Sequence, residues 1–216
     1  MIKTVLFDLD GTLVDSAPDL ATAANRMRQA RGLRPLPYEA LREYAGKGVR
    51  GLLWASFRIP PEAKGFEAMQ REFLEDYTAH IADNAVPMPG IELLLTTLES
   101  RGVAWGVVTN KAEHLARLVL GHMGWETRAK CLVGGDTIGK RKPDPATILE
   151  GMRRLGATPG ETAYVGDDLR DMMAAAAAGV TGCAATWGYV GDGAPPSTWC
   201  ADMLLAHPMD MVSLLG

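Results

Sequence analysis

Five short, largely apolar runs, at 2–7, 103–108, 131–133, 162–165 and 180–185, constrain this chain more than any other feature. A strand with one wet face alternates apolar and polar residues. Continuous apolarity therefore implies strands covered on both faces, as in a parallel sheet between helices. Helical periodicity fills most of the intervals. Ile91, Leu94, Leu95 and Leu98 share a face after Pro89-Gly90, with Gly102 as a stop. Leu115, Leu118, Val119 and Met123 mark a second helix before Gly124. A third carries Ile148, Leu149, Met152 and Leu155, with Asp144 as its N-cap, Pro145 in its first turn and Gly156 past its end. The alanines 174–178 form a fourth that ends at Gly179, small enough to lie close on the sheet. Strand and helix in alternation specify an α/β fold with a doubly wound parallel sheet.

One segment breaks the alternation. Between Asp15 and about Asn84 there is only helical periodicity: Leu20, Ala21, Ala24 and Met27, then Leu52, Leu53 and Trp54, then Phe66, Met69, Phe73 and Tyr77. Ordinary connections in a compact domain are short, so this stretch reads as an inserted all-helical cap over the carboxyl edge of the sheet. The expected division is a core of 1–15 and 84–216 and a cap of 16–83, with the return crossing near Asp83 to Pro89.

The ends of the apolar runs carry the chemistry. Asp8 and Asp10 follow the first, Thr109 and Asn110 the second, and Gly166-Asp167-Asp168 with Asp171 the fourth; Lys142 stands just before the 144–156 helix. In open parallel sheets ligands bind at the carboxyl ends of the strands, so these residues are expected in one crevice. Asp10-Gly11-Thr12 alone reads equally well as a turn; the repetition at other strand ends favours a site. Several carboxylates together repel one another and raise each other's pKa unless a cation intervenes. An all-oxygen donor set of this kind suits Mg2+ better than zinc, which favours His and Cys.

Composition narrows the remaining classes. The net charge is -4 and no basic stripe is present, which argues against nucleic acid as a partner. No apolar run approaches the roughly 20 residues needed to span a bilayer, and the opening stretch ends too soon, in acids, to be expected as a signal peptide. Cys131, Cys183 and Cys200 share no metal-like spacing, and reduced thiols in a cytoplasmic protein are expected.

Together these motifs resemble the haloacid dehalogenase superfamily over nearly the whole chain. Asp8-Leu9-Asp10-Gly11-Thr12 matches its first motif, Thr109-Asn110 the second, Lys142-Pro143 the third, and Gly166-Asp167-Asp168-Leu169-Arg170-Asp171 the fourth. The resemblance implies a Rossmann-like core and phosphoryl transfer from a small phosphorylated metabolite. Asp8 would be the nucleophile that forms an aspartyl-phosphate, and Asp10 the general acid and base. Thr109, Asn110 and Lys142 would hold the phosphoryl group. Mg2+ would be held by Asp8, the backbone carbonyl of Asp10, and Asp167, with Asp171 steadying that shell. Haloacid dehalogenases lack an acid two residues after the nucleophile, so Asp10 favours a phosphatase over a dehalogenase; a phosphomutase would share the same core. Within the superfamily the chain looks like the phosphoglycolate phosphatase group. Pro61 to Ala68, Glu72 to Glu75, and in the tail Trp199, Ala201-Asp202 and His207-Pro208, also resemble N-acetylmuramic acid 6-phosphate phosphatases of peptidoglycan recycling. The expected state is a monomer or a homodimer.

Several residues keep two readings. Gly46-Lys47-Gly48-Val49-Arg50 is either an anion-gripping loop, through Gly46, Lys47 or Arg50, or a flexible link into a Leu52–Phe57 helix. Asp168, where many relatives have Ser or Thr, either tightens the metal site or faces water. Trp187-Gly188-Tyr189 either walls the pocket or packs. Met172-Met173 reads as core, and His80, His114, His122 and His207 as surface residues.

Overall fold

The computed structural model describes residues 1–190 and 193–215. Of the 84–216 range expected for the core, residues 191, 192 and 216 lie outside the described residues. The main sheet contains β1 (Thr4–Phe7), β4 (Ala104–Val108), β5 (Leu132–Val133), β6 (Thr162–Gly166), β7 (Thr181–Ala185) and β8 (Met203–Leu205). All its pairings are parallel, in the order β5-β4-β1-β6-β7-β8. A second, antiparallel pair joins β2 (Val14–Asp15) to β3 (Val86–Pro87). Five of the six main strands coincide with the apolar runs. The sixth, β8, has only three residues and an exposed Leu204, which leaves too short a pattern to read in sequence.

Central β1 shows why apolarity is unbroken. Val5 and Phe7 point into one hydrophobic cluster and Leu6 into another, and all three are fully buried. The first cluster takes Leu94, Leu95 and Leu98 from α5 (Ile91–Ser100) and Leu115 and Val119 from α6 (Glu113–His122). The second takes Ile148 and Met152 from α7 (Ala146–Leu155), and Met172, Ala174 and Ala175 from α8 (Leu169–Ala178). Successive side chains of a strand leave on opposite faces, so helices on both sides demand apolar residues at every position. Trp105 on β4 meets Phe7 and Trp125 edge-on, with ring centres 6.4 and 6.3 Å away.

The helix assignments hold with local corrections. α7 and α8 stop at Gly156 and Gly179, as expected. Pro145, not Asp144, occupies the cap position of α7, and Asp144 accepts the Ala146 amide from one residue earlier (3.0 Å). Leu118, Leu149 and Trp54 belong to the apolar periodicity of their helices, yet each is more than two-fifths exposed. They lie at the margin of the apolar stripe, where one step of about 100° carries a side chain into water. Met172 is buried, whereas its neighbour Met173 is half exposed.

Four helices lie between β2 and β3: α1 (Ala17–Ala30), α2 (Tyr38–Arg42), α3 (Gly48–Phe57) and α4 (Phe66–Ala79). α1 packs on the other three, burying Leu20, Ala24 and Met27 against Leu52, Leu53, Phe73 and neighbours. The link reading of Gly46 to Arg50 is corrected: a 3-10 turn at Ala45–Lys47 runs straight into α3, which begins at Gly48 rather than Leu52. The two crossings into and out of this helical segment are themselves paired, as β2 with β3. Buried Asp19 of α1 reinforces the exit, accepting the Asn84 amide (2.9 Å), its side chain (2.9 Å) and the Ala85 amide (3.1 Å). A buried carboxylate without such donors would be costly.

Candidate active site

Because β4 and β6 flank β1 in parallel, with Phe7 opposite both Val107 and Val165, the next residues of all three strands emerge together. Asp8 leaves β1 with its amide still bound to the Val165 carbonyl (2.9 Å). Asp8, Asp167 and Asp171 then bring one carboxylate oxygen each within 4.8 Å of one another, the cluster of potential ligands found among the described residues.

Lys142 enters this cluster from the loop before α7. Its side chain is 1% exposed, and its ammonium reaches Asp8 at 3.0 Å and Asp171 at 2.6 Å. It also donates to the Tyr164 hydroxyl (2.6 Å), which in turn donates to the Val108 carbonyl (2.7 Å). Asn110 fixes the loop: its amide nitrogen donates to the Lys142 carbonyl (3.0 Å) and its oxygen accepts the Lys142 amide (2.8 Å). Burial opposes the charge on Lys142, yet Asp171 and Asp8 outweigh it and hold its pKa above the ordinary lysine value.

Asp167 is 4% exposed and pinned at both oxygens, by the Thr12 hydroxyl (2.7 Å) and the Tyr189 amide (2.7 Å). Gly11 has φ +83°, and a Cβ there or on Gly188 would run into the Asp167 carboxylate. That close approach explains glycine at both positions. Burial first, then the Asp8 and Asp171 charges, pushes Asp167 up to about 8. Burial also raises Asp171 against the pull of Lys142. Two buried acids and the partly buried Asp8, with a single ammonium, leave a surplus of negative charge. An all-oxygen set with that surplus fits a hard divalent cation.

Asp10 stands apart. Its carboxylate accepts from the Ser16 hydroxyl (2.6 Å) and, through both oxygens, from Lys111 (3.0 and 3.1 Å). Lys111 is nearly buried as well, and also donates to the Tyr77 hydroxyl on α4 (2.8 Å). Two carboxylates only two residues apart therefore have different surroundings. Thr109 is 2% exposed at the end of β4, and its hydroxyl accepts the Lys111 amide (3.3 Å).

The remaining expected residues divide. Asp168 is the N-cap of α8, in a reciprocal capping box with Asp171. It also holds the Arg170 guanidinium at 2.7 and 2.8 Å. Arg170 reaches the Gly46 carbonyl of the helical segment (3.0 Å). Lys47 and Arg50 are exposed, the Lys47 ammonium lying 5.1 Å from the Tyr44 ring centre. Trp187-Gly188-Tyr189 does more than pack: Tyr189 holds Asp167, and the Trp187 indole donates to the Thr12 carbonyl (3.0 Å). The four histidines are exposed. Lys111, Tyr77, Tyr164 and Ser16 are the polar contacts that sequence reasoning missed. Of these only Lys111, adjoining Thr109-Asn110, carried a positional signal.

This geometry can be set beside known proteins. A phosphoglycolate phosphatase of Xylella fastidiosa (strain Temecula1) is 45% identical over 95% of this chain and 90% of its own length. An N-acetylmuramic acid 6-phosphate phosphatase of Pseudomonas aeruginosa is 36% identical over 99% of this chain and 95% of its own. Among solved structures, a predicted phosphoglycolate phosphatase from Haemophilus somnus 129PT superimposes with a TM-score of 0.86 at 25% identity, covering 100% of this chain and 98% of that one. The family model described as haloacid dehalogenase-like hydrolase matches residues 5–185. With its acids, lysine and hydroxyl gathered at the carboxyl edge of a parallel sheet, the chain belongs to the haloacid dehalogenase-like hydrolase family.

Proposed function

We propose that the chain is a magnesium-dependent phosphatase of a small phosphomonoester, with 2-phosphoglycolate as its substrate. The observation that carries this reading is the contrast between Asp8 and Asp10. Asp8 lies against Lys142 inside the acid cluster, while Asp10 is turned to Lys111 and Ser16. Carboxylates placed in unlike environments can take unlike roles.

In this reading an Asp8 oxygen attacks phosphorus and the ester P–O bond breaks as an aspartyl-phosphate forms. Asp10 gives its proton to the departing alkoxide. It then takes a proton from the water that attacks phosphorus, releasing inorganic phosphate and restoring Asp8. Lys142 balances charge on Asp8 and on the phosphoryl oxygens, and Asp171 and the Tyr164 hydroxyl keep its ammonium in place. Asn110 acts through the Lys142 backbone, and the Thr109 hydroxyl faces the phosphoryl group. Asp8, Asp167 and the Asp10 carbonyl are the holders assigned to Mg2+, which when bound supplies further neutralisation of the charge that shifts during transfer.

Residues 16–83 act as a cap, with Gly46, Lys47 and Arg50 at the end that meets the substrate. The Arg170 bond to Gly46 supports that placement. Phosphoglycolate ranks first because the relative with that name is 45% identical. N-acetylmuramic acid 6-phosphate is the second reading, supported by a relative 36% identical over 99% of this chain. Three free cysteines and the absence of a membrane-spanning helix among the described residues are consistent with a cytoplasmic enzyme. A panel of phosphorylated metabolites assayed with magnesium tests the proposal. The highest kcat/KM is expected on 2-phosphoglycolate; a clear preference for N-acetylmuramic acid 6-phosphate would replace it.

A further inference from the structure

The Lys111 ammonium touches two different parts of the molecule. One side of it holds both Asp10 oxygens, at 3.0 and 3.1 Å. The other donates to the Tyr77 hydroxyl at 2.8 Å, with the Tyr77 ring centre 4.7 Å away. Tyr77 is 2% exposed and stacks on Phe73, so its ring is held by the core of the helical segment. The Lys111 side chain is only 7% exposed. A buried ammonium is expensive unless its partners are fixed, and here its two partner residues, Asp10 after β1 and Tyr77 on α4, come from separate elements. Ser16 supplies the remaining contact to Asp10, at 2.6 Å.

We propose that Lys111 is a positioning residue that orients Asp10 toward the leaving oxygen, and that Tyr77 makes this orientation depend on the seating of α4. The inference rests on the reading of Asp10 as general acid. Lys111 transfers no proton. It remains an ammonium and keeps one Asp10 oxygen, while the other, protonated and turned to the ester, gives its proton to the alkoxide released as the Asp8–phosphorus bond forms and the P–O ester bond breaks.

The chemistry supplies a test that a structural role would not pass. An alkoxide leaving group needs the proton; p-nitrophenolate, a far weaker base, leaves without it. kcat/KM reports only the first phosphoryl transfer, so it is to be measured on 2-phosphoglycolate and on p-nitrophenyl phosphate with magnesium present. Lys111→Met is expected to lower kcat/KM on the alkyl ester by about 10²-fold, the usual scale of a misplaced general acid, and on the aryl ester by less than about fivefold. Lys111→Arg is expected to recover part of the alkyl activity, and Tyr77→Phe to show the same alkyl-selective loss at about threefold. Equal losses on both esters would overturn the proposal. Asp10→Asn is measured alongside. If it too lacks alkyl selectivity, the acid assignment itself has failed and this inference falls with it. If Asp10→Asn is selective while the Lys111 variants are not, only the positioning role is lost. Should Lys111→Met not fold, Lys111→Gln and Tyr77→Phe carry the same comparison, and a loss blind to the leaving group overturns it equally.

Discussion

The acid cluster at the edge of the sheet and the contact between the helical segment and that edge are built differently. In the cluster the polar groups are cross-linked and mostly buried: Lys142 and Asp171 side chains are each 1% exposed, Asp8 is 15% exposed, and strand register sets where Asp8 and Asp167 emerge. Across the contact, the polar bonds are fewer and uneven. Lys111 to Tyr77 is buried, but Arg170, which reaches Gly46, is 42% exposed. Removing a partner from a buried charge pair typically costs about 3–5 kcal/mol, whereas exposed pairs contribute about 0–1 kcal/mol. The edge is therefore a rigid platform. The helical segment shares one apolar cluster with a face of the sheet, and its polar bonds to the platform include Lys111 to Tyr77 and Arg170 to Gly46.

The sharpest way to break this contrast is Asp8→Asn. The side chain keeps its shape and an oxygen for Lys142, so the fold should persist by circular dichroism. Hydrolysis of p-nitrophenyl phosphate should fall by about 10⁵-fold or more, as when a nucleophile is removed. Turnover that survives would place the chemistry elsewhere. A second test bears on the platform's charge surplus. Asp167 has a pKa of about 8 in the fold without a cation, against 3.8 ordinarily. The folded state therefore holds a proton that the unfolded chain gives up, and metal-free protein should lose stability as pH rises from about 4 to about 8. Magnesium at a hundredfold excess over its Kd should raise Tm by about 5–10 °C at pH 8. It should do less at pH 5, where it must displace that proton. An equal shift at both pH values would separate the metal from Asp167. The smallest effect is expected on the exposed side of the contact. Arg170→Ala should lower kcat/KM by about two- to fivefold, mostly through KM, with little change in Tm. A loss as large as that of Asp8→Asn would show that the contact is no looser than the platform.

Much of the platform was legible in the chain before any coordinates. The apolar runs located five strands because burial on both faces leaves few positions for a polar residue, the buried Thr4 and Thr162 being two. The acids at their ends stood out because a charge beside buried apolar residues needs a reason. The insert was legible as a break in alternation. β8 was not, because three residues with one exposed leucine carry no usable pattern. Gly46 to Arg50 read as a loop because glycine lowers helix propensity. Packing of Leu52 and Leu53 against α1 overrides that and starts the helix at Gly48.

What the sequence by itself determined is therefore the sheet, its helices and the strand-end residues, since hydrophobic period and local chemistry are written into neighbouring positions. What only the tertiary structure decided is which partners those residues take. Tyr77 looks like any core aromatic of an amphipathic helix, Tyr164 like any strand tyrosine, and Lys111 like a solvated lysine. Each becomes part of the site because chain folding removes water from it and brings up distant groups to satisfy its hydrogen bonds.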